Sequence, residues 1–293
     1  ALAHEADAPF VAEIPNARVA SIQSLVFDQR NFYLDTYHNA TLIDTILPVR
    51  PPTVDKLDGG YVAADLSDKP QIDCPGPALL LSSPHPGNYH HWLLETLPRL
   101  WVLDEYGEYR GVPIILPIFT QSFQPETLSK FIPDGHPIIF SGPWILNVER
   151  LIFPSYLAPG GHSRQQLDWL RSHFCTREGD LKRLIYVSRK DAINGRQLKN
   201  EEEITQYLIM LGFEEVVLSE MLQADQVDLF TDARVIVGVS GSGITNHIFA
   251  PPGAHVVEFH PSNYTNRAHF FTTNLMEQTY QFVIGSPELE EGM

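Results

Sequence analysis

From Lys182 onward, short β-branched runs alternate with helical stretches, and this rhythm limits the possible fold more than any other feature of the chain. The runs are Leu184-Ile185-Tyr186-Val187, Phe213-Glu214-Glu215-Val216-Val217-Leu218, Val235-Ile236-Val237-Gly238-Val239 and Val256-Val257-Glu258-Phe259. Strands separated by helices pair in parallel, and their sheet is covered on both faces. The first intervening helix opens with Asn200 as N-cap and Glu203 at its third position. It carries Ile204, Tyr207, Leu208 and Leu211 at core spacing, and Gly212 stops it. Ligands of open parallel sheets gather beyond the carboxyl ends of the strands.

A second alternating region lies upstream. Ala78-Leu79-Leu80-Leu81 reads as a strand, Asn88 to about Tyr106 as one long helix, and Val112-Pro113-Ile114-Ile115-Leu116 as a strand. A helix near Pro125 to Phe131 and a strand at Pro137-Ile138-Ile139-Phe140 follow. Pro and Gly thicken between Pro154 and Gly161, and Ser163 with Gln166 forms a capping box, so a boundary is expected near residue 160. The expected domains are 1–160, with an irregular β-rich start before Pro75, and 161–293. A chain of 293 residues, 43% of them hydrophobic, can fill both cores.

The charge balance excludes whole classes of partner. Twenty Lys and Arg face 36 Asp and Glu, a formal charge of −16 that repels a nucleic-acid backbone over most of the surface. A phosphate-bearing ligand must therefore be caught by a local set of arginines and backbone amides. Cys74 and Cys175 have neither disulfide-framework nor zinc-knuckle spacing. No apolar run is long enough to span a bilayer. Ala1-Leu2-Ala3-His4-Glu5 shows no signal-peptide pattern, and a bacterial cytoplasmic protein, able to associate peripherally with the inner membrane, is expected. Oligomeric state is not legible.

Three local patterns carry chemistry. The first is the strand-to-helix loop through Ser240, Gly241, Ser242, Gly243, Thr245 and Asn246. Its glycines allow close backbone approach and its helix start offers N–H groups to a diphosphate, although a tight turn alone would also use glycine. It lacks both the GxSxG and the GxGxxG spacing. The second is Ser188, Arg189 and Lys190 with Arg196, Asn200 and Glu201 at the carboxyl end of the unit's first strand, where arginines could meet the same phosphates. The third is Asn88, His91, Glu95 and Arg99. On a regular helix they share an arc of roughly 80°, opposite Leu93, Leu94, Leu97 and Leu100. That face is either solvated or equipped for proton transfer by His91 and Glu95 at i, i+4. His85, His90 and His91 lack metal-ligand spacing, and no metal site is expected. Glu258, a carboxylate among apolar strand residues, is a candidate for ribose hydroxyls. Asn39-Ala40-Thr41 and Asn263-Tyr264-Thr265 match the glycosylation triplet without deciding anything.

Taken in order, the Asn88–Leu100 block, Tyr186-Val187-Ser188-Arg189 with Arg196, Leu198, Asn200 and Glu201, and Val237-Gly238 with Gly241, Gly243, Thr245-Asn246 and Pro251-Pro252-Gly253 resemble the family-61 glycosyltransferases over about residues 80–265. The resemblance implies a GT-B arrangement, two facing Rossmann-like α/β domains with parallel sheets and an interdomain cleft. It also implies inverting, metal-independent transfer from a nucleotide sugar, usually UDP-linked, to a glycan or polysaccharide acceptor. The nucleotide sugar is then a co-substrate, with no other cofactor. On that reading Arg189, Arg196, Asn200, Glu201, Gly241, Ser242, Gly243, Thr245, Asn246 and Glu258 hold the donor. Glu95 is the base, with His91 orienting it or acting as the base itself, and Asn88 and Arg99 meet the acceptor. The chain departs from the family at Ser240, where a His is usual, and at Ser242, where a smaller residue is usual. A nucleotide-sugar epimerase or hydrolase on the same fold and a non-catalytic sugar-nucleotide or glycan binder are the alternatives.

Overall fold

The computed structural model describes residues 8–20, 24–33, 54–57, 61–64, 66, 68–81, 85–157, 162–192, 196, 198–262 and 264–286. The triplet at Asn39, the start of the triplet at Asn263 and the tail from Pro287 lie outside them. The chain forms two compact units, Ala1–His162 and Ser163–Met293.

The first unit holds a six-stranded sheet in the order β2-β1-β8-β5-β6-β7, with β1 (Val11–Ala20), β2 (Leu25–Phe27), β5 (Gln71–Leu80), β6 (Ile114–Pro117), β7 (Ile138–Ser141) and β8 (Ile145–Pro154). Strands β3 (Val54–Leu57) and β4 (Tyr61–Ala64) form a separate hairpin. The run β8-β5-β6-β7 is parallel, whereas β1 pairs antiparallel with both β8 and β2. Only residues 142–144 join β7 to β8, although β6 and β5 lie between them in the hydrogen-bonded order. Ser24, beside one edge strand, is hydrogen bonded to Ser141 of the other at 3.0 Å. So short a link and so close an edge contact require a rolled sheet. Its interior gathers Val26, Ile115, Leu146, Val148, Leu151 and Phe153 from strands far apart in that order.

The long helix expected from Asn88 is instead a composite at 89–105. An α turn at Tyr89–His91 passes into a π turn at Trp92–Thr96, a 3₁₀ stretch at Leu97–Leu100 and a final α turn at Trp101–Glu105. Pro98 supplies the cause, since it has no N–H to continue an α-helical ladder. The regular polar face therefore does not form, and every residue from Trp92 to Leu100 is buried. Helix α1 (Phe123–Leu128) links β6 to β7.

The second unit begins with α2 (Arg164–Phe174), whose N-cap Ser163 accepts from the Gln166 N–H at 3.1 Å. A wholly parallel five-stranded sheet follows in the order β10-β9-β11-β12-β13. Its strands are β9 (Arg183–Val187), β10 (Glu214–Val216), β11 (Ala233–Val239), β12 (His255–His260) and β13 (Thr279–Ile284), interleaved with α3 (Glu201–Met210), α4 (Gln223–Thr231), a 3₁₀ helix at Ser242–Phe249 and α5 (Ala268–Leu275). The wholly parallel second sheet and the parallel run β8-β5-β6-β7 are compatible with a Rossmann-like class, although β1 and β2 make the first sheet mixed rather than parallel. Asn200 is the N-cap of α3 but makes no side-chain cap; its amide reaches Glu203 at 3.3 Å. Ile204 and Leu208 pack on Tyr186 and Val237 as expected, whereas Tyr207 and Leu211 face water. Replacing Ser163 by Ala removes the α2 cap and is expected to lower the stability of this unit by about 1 kcal/mol, read as a shifted urea midpoint.

Candidate functional site

In the second sheet the chain runs from β9 outward to β10 and returns to β11 on the other flank of β9. The loops leaving β9 and β11 thus diverge, which opens a crevice at their carboxyl ends. A pocket of about 340 Å³ lies there, lined by Val187, Ser188, Arg189, Leu218, Val239 and Gly243 among others. A larger open trough of about 660 Å³ runs along Arg18, Asp28, Asp73 and Asn147 of the first unit, at the amino-terminal half of β5 and away from the strand end that leads to His91 and Glu95. Size alone therefore does not locate the chemistry.

The two patterns singled out at this crevice meet. A Cβ on Gly241 would overlap the Arg189 guanidinium, so that group rests on the glycine turn. The backbone there is extended, with φ 173, and glycine is required by space rather than by torsion. Arg189 Nε donates to the Arg196 carbonyl at 3.2 Å. Burial, and then the neighbouring Arg196 charge, push the Arg189 guanidinium below its ordinary pKa, against weaker support from Asp191 and Glu201. The Arg189 guanidinium is therefore held between the glycine turn and the Arg196 backbone. The Arg196 guanidinium also lies 4.9 Å from the Tyr264 ring centroid.

Glu201 supports this arrangement from behind. Its Oε1 accepts from the Tyr186 hydroxyl at 3.0 Å, the Ser188 hydroxyl at 2.9 Å and the Arg189 N–H at 2.9 Å. Three donors on one oxygen fix the first turn after β9 and hence the root of the Arg189 side chain.

Other residues expected to touch the donor are withdrawn from it. Ser242 and Gly243 are partly exposed, but Thr245 and Asn246 are fully buried, and Asn246 Nδ2 donates to Gln226 at 2.8 Å. Glu258 is also fully buried. Its oxygens take hydrogen bonds from His269 Nδ1 at 2.9 Å and the Tyr280 hydroxyl at 2.7 Å, and Ser240 adds a third. His269 Nε2 in turn lies 3.4 Å from Thr245 Oγ1. The carboxylate thus braces the helix behind the glycine turn and is not presented to a ribose. Neither role was read from the sequence, although a carboxylate between Val257 and Phe259, with His260, His269 and Tyr280 following, is a signal of a buried network.

In the first unit His91 Nδ1 and Glu95 Oε1 are 2.7 Å apart. The Glu95 side chain is 7% exposed and that of His91 28%, so the imidazole is the member of the pair that reaches water. The rings of His85 and His90 lie 4.8 and 5.5 Å from that of His91, and His162 lies 5.8 Å from His90. Among the described residues no three His, Cys, Asp or Glu side chains are arranged to hold a metal. Asn88 is exposed and caps the helix, its side chain accepting from the His90 N–H at 2.9 Å. Arg99, expected on an exposed face, is fully buried. Its Nε donates to the Pro154 carbonyl at 3.0 Å, and its guanidinium lies between the rings of Phe153 and Tyr156. Burial lowers its pKa, opposed by the charges of Tyr156 and Glu95. It is placed to support Glu95 electrostatically, and it does not reach an acceptor.

A family model for glycosyltransferase 61 matches residues 89–257, more than half of the chain. The chain belongs to the glycosyltransferase 61 family. No curated protein matches it significantly. As a glycosyltransferase it acts between a sugar donor and a glycan acceptor. The matched span contains His91, Glu95, Arg189, Arg196 and the glycine turn, while Asn88 and Glu258 fall one residue outside it at either end. Among the described residues no helix of this glycosyltransferase is long and apolar enough to cross a membrane.

The network behind the turn has a pH signature. Burial alone would raise the Glu258 pKa, but the hydrogen bonds and charge of its partners, led by His269, outweigh it and hold the group at about 2 instead of 4.5. The stability from this carboxylate is complete above its unfolded pKa and is lost as pH falls through the folded value. Urea unfolding at stepped pH should show the wild type losing stability between about pH 5 and pH 2. Glu258→Gln should be less stable at pH 7 and give a flatter profile over that window.

Proposed function

We propose that this glycosyltransferase inverts the anomeric carbon of a nucleotide sugar, UDP-linked, with the donor on the second unit and the base supplied by the first, in the GT-B manner. The observation that carries this reading is the seat of Arg189 on Gly241 beside Arg196, a concentrated positive site on a protein of net charge −16. Such a site suits a diphosphate whose negative charge grows as it departs. N–H groups at the start of the 3₁₀ helix, around Ser242 and Gly243, would add to it, and Asn200 would complete the polar lining. In this scheme the arginines neutralise the leaving group and no metal is required. Glu201 acts by positioning Arg189, and Glu258, Thr245 and Asn246 act by fixing the turn.

On the acceptor side, the exposure difference favours His91 over Glu95 as the group that takes the proton. With Nδ1–H donated to Glu95, Nε2 carries the lone pair that removes the acceptor hydroxyl proton. The oxygen then attacks the anomeric carbon as the bond to the diphosphate breaks on the opposite face. Glu95 holds the tautomer and stabilises the imidazolium that forms, and the buried Arg99 supports Glu95.

Isothermal titration and turnover assays with UDP-sugars and oligosaccharide acceptors separate the two halves of this scheme. Arg189→Ala should weaken nucleotide binding roughly 10- to 100-fold, as expected for lost charge-assisted hydrogen bonds. His91→Ala and Glu95→Gln should lower turnover by about 10²–10⁴ while sparing nucleotide affinity. UDP should stabilise the wild type equally with and without EDTA. Full turnover in His91→Ala would reject that residue as the base, and free sugar released without acceptor transfer would mark a hydrolase.

A further inference from the structure

Residues 85–91 follow β5 and residues 118–122 follow β6, so two loops lie side by side at the carboxyl ends of neighbouring parallel strands. Gln124 is fully buried and ties them together. Its Oε1 accepts the N–H groups of Thr120 at 2.8 Å and Gln121 at 3.0 Å, and its Nε2 donates to the Pro86 carbonyl at 3.1 Å. The loops are close enough that a Cβ on Gly87 would lie 3.1 Å from Thr120 Oγ1. Tyr89 packs edge-on to Phe123 with ring centroids 5.2 Å apart, and Trp92 Nε1 donates to Thr127 Oγ1 at 2.7 Å. Helix α1 is thereby fastened to the composite helix on both sides of Gln124. Loops that only meet solvent have no need of so fixed a spacing, whereas a binding surface does.

The surface held in this way consists of exposed Asn88, Thr120, Gln121 and Ser122 beside half-buried Tyr89. None of these side chains is charged, although 19% of the residues in this protein are. Amides and hydroxyls both donate and accept, as the hydroxyls of a sugar do, and an aromatic ring suits the apolar face of a pyranose. A phosphorylated or uronic sugar would call for a cation, and among the described residues of the two loops there is no Lys or Arg, only the imidazoles of His85, His90 and His91. The surface also begins three residues before His91. We infer that these two loops bind the acceptor saccharide and that the sugar bound there is neutral, with Gln124 as the positioning residue that holds the loops in register.

The purpose assigned to this surface rests on the transfer reaction proposed above, but its occupancy can be measured without turnover. Saturation-transfer NMR on the full chain would use methyl glycosides of neutral hexoses and pentoses, with glucuronic acid as the anionic control. The wild type should contact a neutral glycoside and ignore the control. Gln121→Ala and Thr120→Val, both at exposed side chains, should weaken that contact about tenfold, the loss expected for one or two hydrogen bonds. Gln124→Leu should do the same if it folds. In turnover the same variants should raise the acceptor KM about tenfold and leave the donor KM and UDP affinity unchanged. A wild type that binds no neutral glycoside, or variants that bind as the wild type does, would overturn the inference. Loss of UDP binding in the wild type would count against the donor reading alone.

Discussion

A guanidinium drawn partly out of water beside a second one is unfavourable unless the surrounding structure holds it there. Everything proposed for the donor side depends on how this chain holds Arg189. Gly241 leaves the volume that the group occupies, the Arg196 carbonyl takes its Nε–H, and Glu201 anchors its backbone through an oxygen that also restrains Tyr186 and Ser188. These constraints come from three separate elements: the loop after β9, the start of α3 and the turn after β11. An arginine so restrained loses little further freedom when an anion arrives, and restraint of this kind converts a surface charge into a binding group.

The two strand-end surfaces divide the chemistry by charge. The crevice after β9 and β11 holds Arg189 with Asp191, whereas the described loop residues after β5 and β6 include no Lys, Arg, Asp or Glu beside the histidines. An imidazole backed by a buried carboxylate stands beside that neutral surface. Deprotonating a sugar hydroxyl and releasing a diphosphate make opposite electrostatic demands, and the proposed scheme assigns them to different residues.

Much of the second sheet was legible because its strands are buried on both sides, so that burial alone dictates continuous β-branched runs such as Val235–Val239. β13 escaped that reading as an edge strand whose residues face water, and β8 escaped it because Asn147, Glu149 and Arg150 interrupt its apolar pattern. Among the candidate residues, those selected by spacing were brought together where spacing was local, as with His91 and Glu95. Arg189 and Gly241 met because both follow strands flanking the point where strand order reverses, a relation that topology supplies. Arg99 and Glu258 were misread for one shared reason. A charged residue looks functional in sequence, and only the three-dimensional packing shows whether its partners are a ligand or the protein's own buried groups.

The π turn at Trp92–Thr96 holds a further lesson. A π turn accommodates one residue more than the α-helical turn it replaces. Deleting a single residue from that stretch would let it close to an α-helical turn with the following segment still in phase, whereas inserting one would rotate whatever follows by about 100° around the axis. The buried leucines beyond it would swing out of the core and Arg99 would leave its aromatic slot. Between Asn88 and Pro98 the helix can therefore lose a residue more easily than it can gain one.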